Sequence, residues 1–172
     1  TGGDGRAMVP FTPRAVGRVT GPVRVGERRR VTAQETTAGV FVWDRKRPIV
    51  IISMKALVSA PRRPDLGLPL PRSGAKPQNP DGGAVQALTV LAKRAHLIYV
   101  TASDRLELSE VRQWADRNRL PAGPVFPLKP VPMSLSHELE RWRREGWTNI
   151  RGGLAGTVDE AKALVERKLK AI

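Results

Sequence analysis

The residues with the clearest chemical potential follow a short apolar run that is typical of a buried strand. Residues 49–52 (IVII) follow Pro48 and precede Ser53 and Lys55, and an unbroken β-branched run indicates a parallel strand that is buried on both faces. A carboxylate at the end of such a strand can serve as a nucleophile. Residues 48–64 contain no Asp or Glu, so Ser53 has no base beside it in the sequence and is a poor nucleophile at neutral pH.

A second apolar run, residues 97–100 (LIYV), ends in Thr101 and is followed shortly by Ser103. Hydroxyls at this position can hold a phosphate oxygen, and together with Lys55 they would make a metal-free anion pocket at the strand ends. Lys55, Thr101 and Ser103 are therefore candidates for anion binding. The alternative is that Thr101 caps the turn between strand and helix together with Asp104, which requires no ligand.

Metal and nucleotide motifs are weak in this chain. His96 and His137 begin a strand and a helix, and no Cys or acidic cluster is spaced to join them as metal ligands. We expect both histidines to be structural, and we expect no metal ion and no cofactor. Residues 152–156 (GGLAG) resemble a phosphate-cradling loop before a helix, but they lack the Lys-Ser/Thr pair of a P-loop.

Strand and helix patterns alternate through the second half of the chain. Helical spacing of apolar residues begins near residues 85, 108 and 135, and Thr157 with Glu160 forms a capping box that opens a last helix. Short strands are expected at residues 97–100, 124–126 and 148–150 and from residue 170. This alternation favours right-handed crossovers and a parallel sheet. The predicted fold class is α/β, a Rossmann-like three-layer sandwich with a mainly parallel sheet, plus a small β-rich N-terminal appendage.

The chain divides by composition into three parts. Residues 1–15 are rich in Gly and Pro and predict an extended arm, residues 16–47 contain the alternating patterns of the β-rich appendage, and residues 48–172 form the α/β domain. Residues 59–83 hold six prolines and four glycines, so they are too broken for a helix or an inner strand and form an insertion. Segments of this composition rarely become ordered alone, so we expect a partner to hold them.

Two stretches carry a resemblance to a known family. Residues 96–104 (HLIYVTASD) precede a helix and then residues 120–126 (LPAGPVF), and residues 146–161 read GWTNIRGGLAGTVDEA. They resemble the lipin-type branch of the haloacid dehalogenase superfamily, which includes the C-terminal phosphatase-like domains of lipins and of some phosphatidylinositol-transfer proteins. The family pattern is a strand ending in Thr-Ala-Arg or Thr-Gly-Arg, a helix, a Leu-Pro-x-Gly-Pro turn and a later Gly-x-Gly-Asp-Thr-x-x-Asp-Ala signature. The resemblance covers about residues 39–172.

The resemblance also implies catalytic positions, and most of them are degenerate here. Ser53, Lys55 and Leu57 stand at the three positions of the Asp-x-Asp-x-Thr turn, which supplies the nucleophile and holds magnesium. Gly156 and Glu160 stand at the acidic pair that completes the metal site. One carboxylate out of four cannot bind Mg²⁺ usefully, and the cation of Lys55 should repel it.

The two remaining family elements are a phosphoryl-binding hydroxyl and a lysine. Thr101 keeps the hydroxyl, although Ser103 replaces the Arg that usually follows it. The lysine should lie near the start of the third helix, where this chain has Leu135, Ser136 and His137.

Charge is the other guide to partners. The net charge is +14, with the basic excess in the first hundred residues, and such a field attracts nucleic acid, anionic lipid or an acidic protein face. Cysteine is absent, which excludes disulfides, and no apolar run approaches the roughly 20 residues that span a bilayer. No helix-turn-helix or RRM signature is present. The candidate partner contacts are Arg28, Arg29, Arg30, Trp43, Arg45, Lys46, Arg47, Arg62 and Arg63.

We therefore expect a pseudoenzyme that acts as a non-catalytic accessory or scaffolding subunit of a larger assembly, contacting protein subunits through its basic and Pro/Gly-rich segments. The alternative is a binding module for phosphorylated or polyanionic ligands, such as a lipid headgroup or nucleic acid. An active phosphatase is the least favoured alternative. We expect a soluble or peripheral protein of a bacterial cytoplasm or periplasm, and the sequence does not choose between these compartments.

Overall fold

The computed structural model describes residues 12–24, 35–58, 79–102, 108–128 and 134–172. The chain divides between Asp44 and Arg45 into two compact units. The first unit contains two antiparallel strands, β1 (Gly17–Arg24) and β2 (Glu35–Val42), which form a two-stranded sheet. Two stretches within the alternating region predicted at residues 16–47 thus form strands, at Gly17–Arg24 and Glu35–Val42.

The two faces of this small sheet differ in polarity. Directly opposed residues of an antiparallel pair lie on the same face, and the register places Val19 opposite Val40 and Arg18 opposite Phe41. The valine face is solvent-exposed, with Val19 at 37%, Val23 at 44% and Val40 at 41%. On the other face the Arg18 guanidinium lies 5.8 Å from the centroid of the Phe41 ring, within range of a cation–π contact.

Within the described residues, the second unit is an α/β structure with five parallel strands and four helices, which confirms the coarse fold prediction. The strand order is β5-β4-β3-β6-β7, with every neighbouring pair parallel. Along the chain the elements are β3 (Ile49–Ser53), a 3₁₀ turn (Met54–Leu57), α1 (Ala84–Ala92), β4 (His96–Thr101), α2 (Leu108–Arg117), β5 (Val125–Pro127), α3 (Ser134–Arg144), β6 (Ile150–Leu154), α4 (Val158–Glu166) and β7 (Lys170–Ala171). The strand that was predicted from residue 170 is confirmed as β7.

The core lies against the central strands, which is why these strands are apolar throughout. Ile52, Leu97 and Tyr99 join one buried cluster that also contains Leu88 of α1 and Ala115 of α2. Successive residues of a strand point to opposite faces, so Ile51 and Ile98, which are also buried, face away from that cluster.

Helix α3 supplies the largest buried side chain of the unit. Trp142 is 1% exposed and packs edge-on against Phe126 of β5, with ring centroids 5.2 Å apart. An aromatic pair in this geometry stabilises by about 0.5–1.5 kcal/mol beyond the area that it buries.

Gly152 and Gly153, which begin the stretch that resembles a phosphate-cradling loop, lie inside β6. A strand was predicted at residues 148–150, and the strand found there, β6, runs from Ile150 to Leu154. A Cβ at Gly152 would lie 2.5 Å from the Lys170 carbonyl oxygen, and one at Gly153 would lie 2.8 Å from the Ile51 carbonyl oxygen. Glycine at these two positions allows the close approach of neighbouring strands.

Tyr99 joins β4 to the turn at residues 120–124. Its buried hydroxyl donates to the Pro121 carbonyl oxygen at 2.8 Å, and its amide donates to the Pro124 carbonyl oxygen at 2.9 Å. A Cβ at Gly123 would overlap the Leu97 carbonyl oxygen, so only glycine allows the turn to approach the strand. Burial raises the pKa of the Tyr99 hydroxyl far above its usual range. No helix in the described ranges is both long enough and apolar enough to cross a membrane.

Candidate functional site

The candidate site lies where the order of strands changes direction. From β3 the chain adds β4 and β5 on one side and then β6 and β7 on the other, and open parallel sheets bind ligands at the carboxyl ends of the strands at such a point. Ser53 ends β3, and the residues after Leu154 leave the neighbouring end of β6. We call Ser53, Lys55, Gly156 and Glu160 the switch-point cluster.

Glu160 is the centre of the hydrogen bonding in this cluster. The Ser53 hydroxyl donates to Oε1 at 3.1 Å, the Gly156 amide donates to Oε2 at 2.7 Å, and the Thr157 amide donates to the same oxygen at 3.1 Å. In return the Glu160 amide donates to Thr157 Oγ1 at 3.2 Å, which completes the predicted capping box of α4. The carboxylate therefore holds the start of α4 and also ties it to the end of β3.

Gly156 packs directly against the turn that follows β3. A Cβ at this position would lie 2.8 Å from each of three atoms: Ser53 Oγ, Lys55 Cβ and the Ala56 amide nitrogen. Such distances are shorter than any van der Waals contact of a real side chain, so the turn and the end of β6 leave no space for a side chain at residue 156. This packing closes the cluster between its two strands.

Ser53 is closer to a carboxylate than its sequence neighbours suggest. The absence of acids in residues 48–64 predicted a hydroxyl with no base beside it, whereas α4 brings Glu160 within hydrogen-bonding distance. Ser53 is nevertheless only 2% exposed, and the carboxylate also accepts from two backbone amides. The pair is therefore a partly buried hydrogen bond that links β3 to α4.

Lys55 forms no salt bridge with Glu160. The Glu160 carboxylate accepts from Ser53 and two backbone amides, and the Lys55 side chain is exposed. Lys55 lies in the 3₁₀ turn. Its Cβ packs on Gly156, and the rest of the Lys55 side chain extends into solvent.

The other sequence-predicted positions are spread around the same unit. Leu57 is fully buried in the core cluster with Leu88. Thr101 ends β4, the strand next to β3, and is partly buried. Ser103 of the predicted anion pocket and Asp104 of the capping alternative lie outside the described residues.

The predicted lysine position lies in the first turn of α3. Leu135 and Ser136 are buried at 3% and 5%, and His137 is exposed. His96 lies at the amino end of β4, the edge opposite to the cluster.

The magnesium ion that the resemblance implies does not fit these residues. Magnesium requires a near-octahedral set of oxygen ligands with short distances. Glu160 is the sole carboxylate of the cluster, and its oxygens accept three hydrogen bonds from the protein. Across the described part of the chain, no group of three or more His, Cys, Asp or Glu residues is placed to hold a metal ion.

The ends of the Pro/Gly-rich insertion return to the same region. The Asp81 amide donates to the Leu57 carbonyl oxygen at 3.0 Å, so the segment that leads into α1 is tied to the turn after β3. Residues 59–78, which contain Arg62 and Arg63, lie outside the described residues.

The basic residues predicted as partner contacts have different roles. Arg28, Arg29 and Arg30 lie outside the described residues, and Arg45 and Lys46 are exposed. Arg47 is structural: its guanidinium donates to the Ala92 carbonyl oxygen, and its own carbonyl accepts from the Asn149 side-chain amide at 2.7 Å. Within the first unit, the Trp43 ring lies 6.0 Å from that of Phe41.

Comparisons with known proteins add no relative. A scan against models of known protein families finds no match, and a search of curated proteins finds no significant one.

Proposed function

We propose that this protein is a pseudoenzyme of the lipin-type haloacid dehalogenase group and serves as a non-catalytic accessory or scaffolding subunit of a larger assembly. The observation that carries the proposal is the closed switch-point cluster, in which Glu160 bonds Ser53 and Gly156 packs on the turn. A catalytic site at this edge would need an accessible nucleophile and several carboxylates. Here one carboxylate is present and is used to hold two elements together.

The fold supports the proposed relationship. The strand order with β3 at the centre is that of a doubly wound sheet. Leu88 of α1 and Ala115 of α2 belong to one cluster, while Ile51 faces away from it towards Leu164 of α4, whose methyl group lies beside Gly153. These placements are those expected of a Rossmann-like three-layer sandwich. The two-stranded sheet would then be its β-rich N-terminal appendage.

The small sheet supports the docking part of the proposal. A two-stranded sheet is marginally stable at best unless a third strand or another layer covers its apolar face. Val19, Val23 and Val40 form such a face and remain 37–44% exposed. Because about two fifths of each valine remains to be buried, covering all three on a partner would contribute about 2 kcal/mol in total, at about 1.5 kcal/mol for each full burial.

Native mass spectrometry of the protein isolated at low salt from the cells that produce it tests this function. We expect co-purification with defined protein subunits in a fixed stoichiometry. A Val19→Asp, Val40→Asp variant should lose the partner, whereas Thr20→Asp, Thr37→Asp, which places the same charges on the opposite face of the sheet, should retain it. A monomer with no protein partner in both preparations would refute the proposal.

A parallel assay addresses catalysis. Phosphatase turnover with magnesium and a phosphate monoester should not exceed the background rate of hydrolysis, and Ser53→Ala should leave that rate unchanged. Turnover that disappears in Ser53→Ala would establish the least favoured alternative, an active phosphatase.

A second candidate is a binding module for phosphorylated or polyanionic ligands, and the net charge of +14 favours it. Lys55 and Thr101, with Ser103, would contribute to such a site. Affinity for anionic vesicles or single-stranded DNA that falls steeply with salt would support it. Charge reversal at Arg28–Arg30 together with Arg62 and Arg63 should then abolish binding.

A further inference from the structure

A groove of about 610 Å³ lies at the edge of the sheet opposite to the switch-point cluster. Its walls are the end of α3, the loop into β6, the start of β6, and the end of α4 with the loop into β7. We call it the basic groove and define it by Arg143, Trp147, Arg151, Arg167, Lys168 and Leu169. This volume is within the range of about 300–1,000 Å³ that is usual for ligand sites.

Four cationic side chains and a single acid, Glu166, line the basic groove. Arg143, Arg151 and Lys168 are exposed, and none of them forms an ion pair with another residue in the described ranges. Arg167 differs because it donates to Glu140. Three exposed cations that line one concave surface favour an anionic partner.

The floor of the basic groove is apolar and held rigidly. Trp147 stacks on the buried Trp142, with centroids 6.1 Å apart and planes inclined by 21°. Its amide donates to the Trp142 carbonyl oxygen at 2.9 Å. Leu139 and Ile150 are buried beneath the groove at 4% and 8%. A preformed floor of this kind reduces the ordering cost of binding.

The turn between α4 and β7 is equally defined. Lys168 has a φ of +57°, the left-handed conformation that ends a helix. The amides of Lys168 and Leu169 donate to the Val165 and Leu164 carbonyl oxygens at 2.9 and 3.0 Å. This cap directs the chain from α4 into β7 and fixes the backbone of Lys168 at the groove.

We propose that the basic groove docks an acidic peptide segment of a partner protein, with an apolar side chain of that segment on the floor and carboxylates on the cationic rim. Nucleic acid fits the groove less well, because single-strand binding uses a series of aromatic faces, whereas the lining holds one aromatic side chain, Trp147, beside the aliphatic Leu139, Ile150 and Leu169. The inference rests on the proposed accessory function, and it adds to the valine face a second docking surface and the chemistry of the segment that binds there.

Charge reversal in the full chain tests the groove directly. The probe is a fluorescein-labelled twelve-residue peptide of alternating Glu and Leu, measured by fluorescence anisotropy. Arg143→Glu, Arg151→Glu should weaken its binding about tenfold or more. Arg112→Glu, Arg117→Glu, two exposed positions on α2 with the same change of charge, should stay within about twofold of the wild type. If both variants lose affinity for the peptide equally, the binding depends only on the net charge of the protein and the proposal is overturned.

Competition and assembly complete the test. Unlabelled oligothymidine and unlabelled peptide are compared as competitors of the labelled peptide. If oligothymidine displaces it at the lower concentration, the groove is a nucleic-acid site and the proposal is overturned. In the native assembly, Arg143→Glu, Arg151→Glu should reduce co-purification of the partner. Normal assembly of that variant would refute the groove while leaving the accessory function intact. If the wild type forms no assembly at all, the proposed function fails with it.

Discussion

Substitution of Gly156 by alanine tests the closed cluster with the smallest possible change. The added Cβ would lie 2.8 Å from Ser53 Oγ, Lys55 Cβ and the Ala56 nitrogen. Ordinary contacts are about 3.5–4.0 Å, so the turn after β3 and the end of β6 must separate by about half an ångström or more. The Ala56 nitrogen is backbone and Lys55 Cβ is fixed to backbone, so neither atom can move by a change of rotamer.

The expected cost follows from two opposing terms. Overpacking of a closely packed site typically costs about 1–3 kcal/mol. Alanine also restricts the unfolded chain, which offsets about 0.4–1 kcal/mol where the backbone conformation is compatible. The net expectation is a destabilisation of about 1–2 kcal/mol. For a unit of this size we expect the melting temperature to fall by roughly 3–8 °C.

Urea unfolding followed by tryptophan fluorescence measures this difference, and Gly83→Ala is the matched control. Gly83 has a φ of −85° in the helical region, and a Cβ there would meet no atom within 4 Å. The control should therefore be neutral or slightly stabilised. If Gly156→Ala proves as stable as Gly83→Ala, the turn does not pack against residue 156 and the closed cluster is refuted.

Three further predictions concern other contacts of the same unit. Ser53→Ala removes the donor to Glu160 and should cost about 1–2 kcal/mol in urea unfolding; no change would mean that the hydrogen bond is absent. Gly123→Ala should cost ~3 kcal/mol in the same assay, because the Cβ overlaps the Leu97 carbonyl oxygen. Tyr99 is the sole tyrosine, and burial raises its pKa above the unfolded value of about 10. Its contribution to stability is complete below pH 10 and is lost at higher pH, so tyrosinate absorbance should appear only with alkaline unfolding, and a rise in the folded protein near pH 10 would contradict the burial.

The strands that were predictable from sequence are those whose apolar residues reveal their burial. Residues 49–52 and 97–100 are such runs, and both are confirmed in β3 and β4. Strand β6 was misplaced because Gly152 and Gly153 have low strand propensity, and the reason for glycine there is the approach of Ile51 and Lys170. The residue pattern of one strand does not indicate how closely a neighbouring strand approaches it.

The same limit applies to the side chains of the candidate site. The resemblance grouped Ser53 with Glu160, but the hydrogen bond between residues 107 positions apart in sequence depends on how α4 is seated against β3. Arg47 looked like part of a basic patch because a charge run does not reveal a buried carbonyl partner such as that of Ala92. The basic groove escaped notice for a related reason. Its cations come from α3, β6 and the α4–β7 loop, and the C-terminal part of the chain that contains them is nearly balanced in charge.

The closed cluster also implies that the degenerate positions depend on one another. An aspartate at residue 156 would need the space that the turn from Ser53 to Ala56 occupies. An aspartate at residue 53 would bring a second buried carboxylate against Glu160, and like charges at that distance raise the cost of ionising both. Restoration of one acid at a time should therefore destabilise the unit before it creates a metal site. Under the proposed function, the packing of Gly156 on this turn and the hydrogen bond between Ser53 and Glu160 are structural contacts that hold α4 against β3.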